Sequence, residues 1–235
     1  MRYEEMKPGD ISRVVRACPV AYLPWGAIEW HGLHAPVGLD ALKAHHMALA
    51  LCEATGGLVL PPVYCGYQTV KPRRGFTHTF EFSKGLVRRH LFEWLENLYE
   101  ESFRVMVIVM GHYGPKHVEA IRAGVGDFEE RHKYPRVLAI TDYDPASWVG
   151  VKGDDHGGKN ETSLMMYYRP ELVDLSLLPP GRWDREHEGC DPDAGQATAA
   201  HGEMLARTFV EQAAAKVREL LEEVRASWPE GIRRI

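Results

Sequence analysis

The sequence predicts an α/β sandwich with a largely parallel sheet, because short apolar runs alternate along the chain with segments of helical periodicity. Four apolar runs predict strands, near residues 17–24, 57–63, 104–111 and 136–142. Each run is apolar on both faces and is closed by Gly, Pro or Asp. This pattern is typical of strands that helices cover on both sides of a sheet.

Helical patterns separate the predicted strands. Residues 40–55 begin at an Asp suited to capping and end before two glycines, and residues 85–103 carry apolar side chains at helical spacing. A third helix is expected after residue 114, and a fourth over about 195–226. The order of strands and helices therefore favours helices packed on both faces of one sheet.

The length and composition limit the number of domains and the class of partner. We expect one domain over residues 1–235, with a C-terminal tail from about residue 227. The 28 basic and 33 acidic side chains give a net charge of -5, which offers no general attraction for nucleic acid or an anionic membrane. No apolar run approaches the roughly 20 residues that cross a bilayer, and the N-terminus lacks the pattern of a secretory signal. We therefore expect a cytoplasmic protein with no nucleic-acid partner and no membrane partner.

Two kinds of site are not indicated by the sequence. The cysteines show no CxxC pair, so neither a disulfide framework nor a thiolate zinc site is predicted, and we expect buried, reduced thiols. No glycine-rich phosphate loop follows any predicted strand, which argues against a metal-free nucleotide-binding protein.

Polar side chains follow three of the predicted strands at the point where each strand ends. Glu29 and His31 leave the first strand, His112 leaves the third, and Asp142 to Asp144 leave the fourth. Because ligand sites in α/β sheets form at the carboxyl ends of the strands, these side chains should converge. A Gly-rich segment that enters a helix adds four further candidates: Asp154, Asp155, His156 and Glu161.

Glu29 is the candidate with the fewest structural alternatives. It lies just past an apolar strand, where an unpaired carboxylate would be costly, so a cation or an Arg partner is needed. Glu29 and His31 are two residues apart and point to the same side of an extended chain. They could therefore bind the same cation or adjacent cations. Asp40, in contrast, could simply cap the helix that it begins.

Three other histidines close to Glu29 and Asp40 in the sequence are less informative. His45 and His46 lie within a predicted helix and are expected to be packing or surface residues, while the role of His34 stays open. His112 is a better candidate because Gly111 and Gly114 allow the backbone to aim its imidazole over the end of the sheet.

The candidate ligands form a set of three carboxylates and two imidazoles with no thiolate. Such a set suits Zn, Mn or Fe(II), and one carboxylate can bridge two ions about 3.5 to 4 Å apart. The chemistry implied is hydrolysis of an amide by metal-activated water. The set is Glu29, His31, Asp40, His112 and Glu161.

The same residues carry a resemblance to the creatininase (creatinine amidohydrolase) family. "GAIEWHGLHAPVGLD" at 26–40 resembles the family signature in its Glu-x-His-Gly, in the following His and Pro, and in the Asp nine residues after the first His. "GHYG" at 111–114, "DDHGGKNETS" at 154–163 and "DPDAGQATAAHGEML" at 191–205 resemble later motifs of the family. The resemblance spans residues 20 to about 210.

The resemblance implies a three-layer α/β/α fold with a two-metal site. Glu29, Asp40 and His112 would hold one metal, and His31, the bridging Asp40 and Glu161 would hold the other. His156 matches a histidine assigned to catalysis, and Asp155 is a weaker candidate acid or base.

This chain departs from the family pattern at several positions. Gly114 stands where creatininase itself has a Glu for the second metal, so Glu161 must serve there. Met110 and Pro115 replace the usual asparagines, and Trp30 replaces the usual Gln. Creatinine is therefore not assumed as the substrate.

The leading hypothesis is a dinuclear metal-dependent hydrolase that acts on a carbon-nitrogen bond of a small or cyclic amide. Tyr113 and Trp148 are candidates for lining its substrate pocket. The alternatives are a non-catalytic family member that acts as a binding or structural oligomer, and a deformylase or peptidase of the same family. Family members usually assemble as homo-oligomers, often hexamers, and the long aromatic loop at 64–85 is a candidate for function or subunit contact.

Overall fold

The computed structural model describes residues 1–71, 76–144, 155–181 and 184–227. Within these ranges, five parallel strands form one central sheet. The strand order is β2-β1-β4-β5, and β3 pairs with the carboxyl half of β1 on the side of β2. The strands are β1 (Val20–Gly26), β2 (Leu58–Val59), β3 (Val63–Tyr64), β4 (Val105–Met110) and β5 (Arg136–Thr141).

Helices cover both faces of this sheet. On the first face lie α2 (Leu39–Thr55), α5 (Lys159–Tyr168) and α6 (Ala199–Ser227). On the second face lie α1 (Pro8–Ala17), α3 (Lys84–Glu100) and α4 (Pro115–Arg131). Single turns of 3-10 helix occupy Tyr3–Glu5, Pro170–Leu172, Leu175–Leu177 and Ala194–Gln196. The expected C-terminal tail beyond residue 227 lies outside the described residues.

The alternation of side chains along the central strands builds two hydrophobic cores. In β1, Val20 and Tyr22 belong to the core under α2 and α6, while Ala21, Leu23 and Trp25 belong to the core under α3 and α4. All five side chains are essentially inaccessible to water. This arrangement confirms the predicted three-layer α/β/α sandwich with a parallel sheet.

The start of α2 lies directly against the carboxyl ends of the two central strands. A Cβ on Gly111, just after β4, would overlap the backbone carbonyl of Asp40, and one on Gly26, at the end of β1, would overlap the backbone of Ala41. Only glycine allows an approach this close. The sequence therefore places Asp40 over the junction of β1 and β4.

Three features differ from the sequence prediction or extend it. The run at 57–63 forms two short strands because Pro61 and Pro62, which lack backbone N–H groups, interrupt it. The sequence pattern does not predict helix α1; Pro8 occupies its first turn, where the missing N–H costs nothing. In the loop at 64–85, the carboxylate of Glu81 accepts the N–H groups of Gln68 and Thr69, both at 2.8 Å.

The described helices are also too short or too polar to span a bilayer. The four cysteines are free thiols, of which three are buried and Cys18 is partly exposed.

Candidate metal centre

Two imidazoles at the carboxyl end of the sheet are oriented by backbone carbonyls. Nδ1 of His31 lies 3.0 Å from the carbonyl oxygen of Glu29, and Nε2 of His112 lies 3.0 Å from the carbonyl oxygen of Tyr67. Each of these nitrogens therefore donates to its carbonyl, so in the neutral ring the other nitrogen is the one that carries the lone pair. A hydrogen bond from one ring nitrogen to a carbonyl is the usual way in which proteins fix the tautomer of a histidine that binds metal through its other nitrogen.

The remaining nitrogens face three buried carboxylates in two groups that share Asp40. Nδ1 of His112 lies 3.0 Å from Oε2 of Glu29 and 3.1 Å from Oδ2 of Asp40. Nε2 of His31 lies 3.1 Å from Oδ1 of Asp40 and 3.7 Å from Oε2 of Glu161. In each group the ligand atoms lie within 4.8 Å of one another, as atoms around a single ion do. The structure therefore brings together all five residues that the sequence predicted as ligands.

The donor set fits divalent metal ions. Oε2 of Glu29, Nε2 of His31 and Oδ2 of Asp40 are buried and make no hydrogen bond of acceptable geometry to any described residue. Buried polar atoms without partners are costly unless an ion or water satisfies them. Carboxylate and imidazole ligands without thiolate suit Zn, Mn or Fe(II).

The electrostatics of these side chains would couple protons to the binding of a metal ion. Burial opposes the protonation of His31, but the charges of Asp40 and Glu161 outweigh it and raise the pKa of His31 to about 9. Burial likewise opposes protonation of His112, and Glu29 and Asp40 nevertheless raise its pKa well above the ordinary value. A metal ion must therefore compete with protons at both imidazoles, and binding should release protons.

Glu161 divides its two oxygens between different partners. Oε2 accepts the backbone N–H of Gly157 at 2.8 Å and is the oxygen nearest to His31. Oε1 accepts the hydroxyl of Tyr113 at 2.6 Å and forms an ion pair with Lys43. Only Oε2 therefore faces the ligands of the second group.

Lys43 is a residue of the site that sequence reasoning missed. It is fully buried, and Nζ lies 2.6 Å from Oδ2 of Asp142 besides contacting Glu161. One signal could have found it: Lys43 lies three residues after Asp40, on the same face of a helix that is otherwise mostly apolar. The predicted convergence of Asp142 on the site is realised through this lysine.

His156, the predicted catalytic residue, lies against the second ligand group. Its ring stacks on that of His31 with 4.3 Å between the ring centres. Nε2 lies 2.9 Å from the carbonyl oxygen of Trp30 and donates to it, which leaves Nδ1 with the lone pair. Burial and the neighbouring His31 lower the pKa of His156, so its neutral form is favoured.

The backbone of His156 is held by Asp191. The N–H of His156 donates to Oδ2 of Asp191 at 3.1 Å, and the N–H of Asp191 donates to the carbonyl of His156 at 2.8 Å. Arg185 forms a two-point ion pair with the same carboxylate. The sequence alone indicates no such role for Arg185 or Asp191, because the role depends on a contact with a distant segment.

Asp155 stabilises the start of α5. Its Oδ2 accepts the backbone N–H groups of Asn160 at 2.7 Å and Glu161 at 3.1 Å, as a capping carboxylate does. Burial, with a contribution from the charge of Glu161, raises the pKa of Asp155 to about 7. Its predicted role as an acid or base stays a prediction beside this structural role.

A cavity of about 510 Å³ opens over the ligand groups. The loop at 64–85 forms part of its wall, and the N–H of Val70 in this loop donates to Oε1 of Glu29 at 2.7 Å. Tyr113 also lines the cavity, and its predicted contact with a substrate stays a prediction. Trp148, the other predicted pocket residue, lies outside the described residues, as does the candidate Asp154.

His34, His45 and His46 lie outside the metal-capable groups found in the described part of the chain. His34 is buried, and its Nε2 lies 3.0 Å from Oγ1 of Thr162. The ring of His46 stacks on Tyr168, and His45 is buried in α2. These positions match the expectation that His45 and His46 are packing or surface residues.

Known proteins share both the fold and the sequence pattern. Residues 4–217 match the creatininase family, which is described as creatinine amidohydrolase. A creatinine amidohydrolase of Pseudomonas putida is 31% identical over 189 residues, which cover 71% of each chain. A mycofactocin precursor peptide peptidase of Mycobacterium ulcerans is 28% identical over 190 residues, covering 75% of this chain and 69% of the relative.

Solved creatininase structures are similar over nearly their whole length. The Mn form and a mutant of the Zn–Zn type are 26% and 25% identical to this chain, each with a TM-score of 0.78. Both matches cover 92% of this chain. They cover 97% of the Mn form and 96% of the Zn–Zn mutant.

Fold and site together define an α/β/α sandwich with a carboxylate-imidazole centre at the carboxyl ends of its parallel strands. The chain belongs to the creatininase family, as its sequence motifs indicated. Members of this family include amidohydrolases and peptidases.

Proposed function

We propose that this protein is a metal-dependent amidohydrolase that hydrolyses a carbon-nitrogen bond of a small or cyclic amide at a dinuclear site. The observation that carries the proposal is the position of Asp40, whose two oxygens each face a separate group of ligands. One carboxylate shared by two such groups is the arrangement that two-metal hydrolytic sites use.

The residues of the site divide between the two ions. Glu29, Asp40 and His112 would hold the first, and His31, Asp40 and Glu161 would hold the second. Bound metals would activate water for attack on the amide and polarise its carbonyl. Zn, Mn and Fe all accept this ligand set, and creatininase structures of Mn and Zn–Zn type support the first two.

The protein's own groups would supply proton transfer. Nδ1 of His156 carries the lone pair, so it can take a proton from the attacking water and pass it to the leaving nitrogen. The neutral form favoured by the lowered pKa of His156 is the form that this role requires.

The relatives and the volume of the cavity indicate which amides to test as substrates. The Pseudomonas putida relative is named for creatinine, a cyclic amide, and the Mycobacterium ulcerans relative for a precursor peptide. The cavity of about 510 Å³ has room for a small molecule or the end of a peptide. Creatinine and other cyclic amides are therefore tested first, then formamides and short peptides.

A non-catalytic role is the second candidate, and the altered motif at 111–115 favours it. Gly114 provides no carboxylate at a position that lines the cavity. A protein of this kind would retain the fold while holding one metal or none.

Metal content and hydrolysis together separate these candidates. The purified protein is dialysed, supplemented with Mn²⁺ or Zn²⁺ and measured by elemental analysis, and then assayed against the amide panel. About two equivalents of metal per chain with metal-dependent hydrolysis would support the proposal. Less than about half an equivalent after supplementation would overturn it.

We also propose that the chain forms a homo-oligomer. Phe80, in the loop at 64–85, is 55% exposed and would be covered in such an assembly. The molar mass measured by light scattering tests this point separately.

A further inference from the structure

Lys43 is a buried cation with three partners in the described structure. Its side chain has no exposure to water, and Nζ lies 2.6 Å from Oδ2 of Asp142 and forms an ion pair with Oε1 of Glu161. The same atom lies 4.7 Å from the centre of the Tyr113 ring. A buried ammonium is tolerated only when it is paired in this way.

These contacts restrict how Glu161 can turn. Lys43 and the hydroxyl of Tyr113 both engage Oε1, so this oxygen is held on the side of the carboxylate that faces α2. Oε2 is left toward His31, 3.7 Å from Nε2. Turning the carboxylate out of this orientation would break its buried ion pair with Lys43, which is strongly unfavourable.

The position of Lys43 on α2 links this restraint to the bridging ligand. Asp40 and Lys43 lie one helical turn apart, so their side chains leave the same face of the helix. Asp40 contributes an oxygen to each of the two groups, and Lys43 holds Glu161, which belongs to the second group. Helix α2 therefore carries both the shared carboxylate of Asp40 and the cation that pairs with Glu161.

We propose that Lys43 is a positioning residue of the second metal group, which fixes Glu161 so that Oε2 alone is presented beside His31 and Asp40. The inference rests on the proposed two-metal function. It concerns the affinity of one ion specifically, since Lys43 contacts no ligand of the group formed by Glu29 and His112 in the described residues.

The charge of Lys43 and its positioning role predict opposite effects. Removing a positive charge close to a cation site strengthens cation binding, and this would act on both ions. Removing the restraint on Glu161 weakens binding of the second ion alone. Loss of an outer partner of a metal ligand typically lowers metal affinity about 10- to 100-fold.

The test is a Mn²⁺ titration of the metal-free full-length chain by calorimetry, for the native sequence and Lys43→Met. Glu161→Gln and Glu29→Gln identify the heats of the second and first ions. Lys84→Met, which removes an exposed lysine from α3, is the matched control. We expect Lys43→Met to weaken the second ion about 10- to 100-fold while the first changes far less.

A second variant covers the case in which Lys43→Met does not fold. The double variant Lys43→Met/Asp142→Asn leaves no unpaired carboxylate at Asp142 and carries the same expectation. Unchanged or stronger binding of the second ion, or equal weakening of both ions, would overturn the positioning role. A native protein that binds no Mn²⁺ would instead refute the proposed function, so the two failures are distinguishable.

Discussion

Oδ1 of Asp40 lies 3.1 Å from Nε2 of His31. The other oxygen of the same carboxylate lies 3.1 Å from Nδ1 of His112, so one side chain joins imidazoles that follow different strands of the sheet. Because Gly111 lets the backbone of Asp40 approach the end of β4, this bridge depends on packing as well as on the ligands. In the proposed two-metal site this shared carboxylate would make the two ligand groups interdependent, which leads to distinct expectations for each ligand.

Replacing Asp40 with Asn should remove both ions. Asn keeps the shape of the side chain but carries no charge. The carboxylate that is lost belongs to both groups. We expect metal content to fall from about two equivalents to less than about half an equivalent per chain, measured by elemental analysis. Asp10→Asn, at a partly exposed position of α1, is the control and should keep the native content. Retention of one equivalent by Asp40→Asn would argue against a shared carboxylate.

Replacing a ligand that belongs to only one group should remove only one ion. His31→Ala removes a ligand of the second group, and Glu29→Gln removes a ligand of the first. Each should lower the content from about two equivalents to about one, and the double variant should bind almost none. If either single variant lost both ions while circular dichroism showed an intact fold, the assignment to separate groups would be wrong.

The fold and the candidate ligands can be predicted from the sequence for physical reasons. Buried parallel strands leave continuous apolar runs, and their carboxyl ends must meet at one edge of the sheet. The places of Glu29, His31 and His112 in the chain, each just after such a run, are therefore enough to bring them together. The assignment of Asp40 as the bridge comes from the family resemblance.

Other features depend on contacts that the sequence does not encode locally. The partners of Lys43 come from α5 and from the end of β5, and Arg185 acts through Asp191 on His156. Neither side chain was singled out by a motif, and a lysine in a helix is ordinarily exposed. The packing of α2 on Gly111 likewise becomes visible only once the strand and the helix are placed.

His156 should affect catalysis without affecting metal content. We propose that its Nδ1 transfers protons, whereas its Nε2 donates to the carbonyl of Trp30. We expect His156→Ala to lower kcat about 100- to 10,000-fold on the amide that the native protein hydrolyses, with about two equivalents of metal retained. His156 could also join Glu29 and His31 as a ligand. Loss of one metal in His156→Ala would favour that ligand role over proton transfer.

Gly111→Ala should disturb the site through packing alone. The added Cβ would overlap the carbonyl of Asp40 and push α2 away from the sheet. We expect a loss of about 1 to 3 kcal/mol in the free energy of unfolding, measured by urea titration, together with weaker metal binding. Gly126→Ala, in α4, is the matched control because a Cβ there meets nothing within 4 Å. It should be neutral or stabilise the protein by about 0.5 to 1 kcal/mol. Equal behaviour of both variants would contradict the packing argument.

His34 should make the metal-free protein less stable in acid. Burial and the neighbouring His31 lower the pKa of His34 from 6.5 to about 4, so the folded state binds fewer protons at this residue than the unfolded state does. The resulting stability is complete above about pH 6.5 and is lost as the pH falls through about 4. The difference corresponds to about 3 kcal/mol in the free energy of unfolding.

The measurement compares urea unfolding of the metal-free chain between about pH 7 and pH 4 for the native sequence and His34→Gln. Gln does not titrate, and its amide can still donate to Thr162, so the variant should lose less stability on acidification than the native protein. His187→Gln replaces an exposed histidine and should follow the native curve. An acid loss in His34→Gln as large as in the native chain would show that other groups carry the pH dependence. His34 would then be a packing residue without a role in the acid response, although its hydrogen bond to Thr162 would remain.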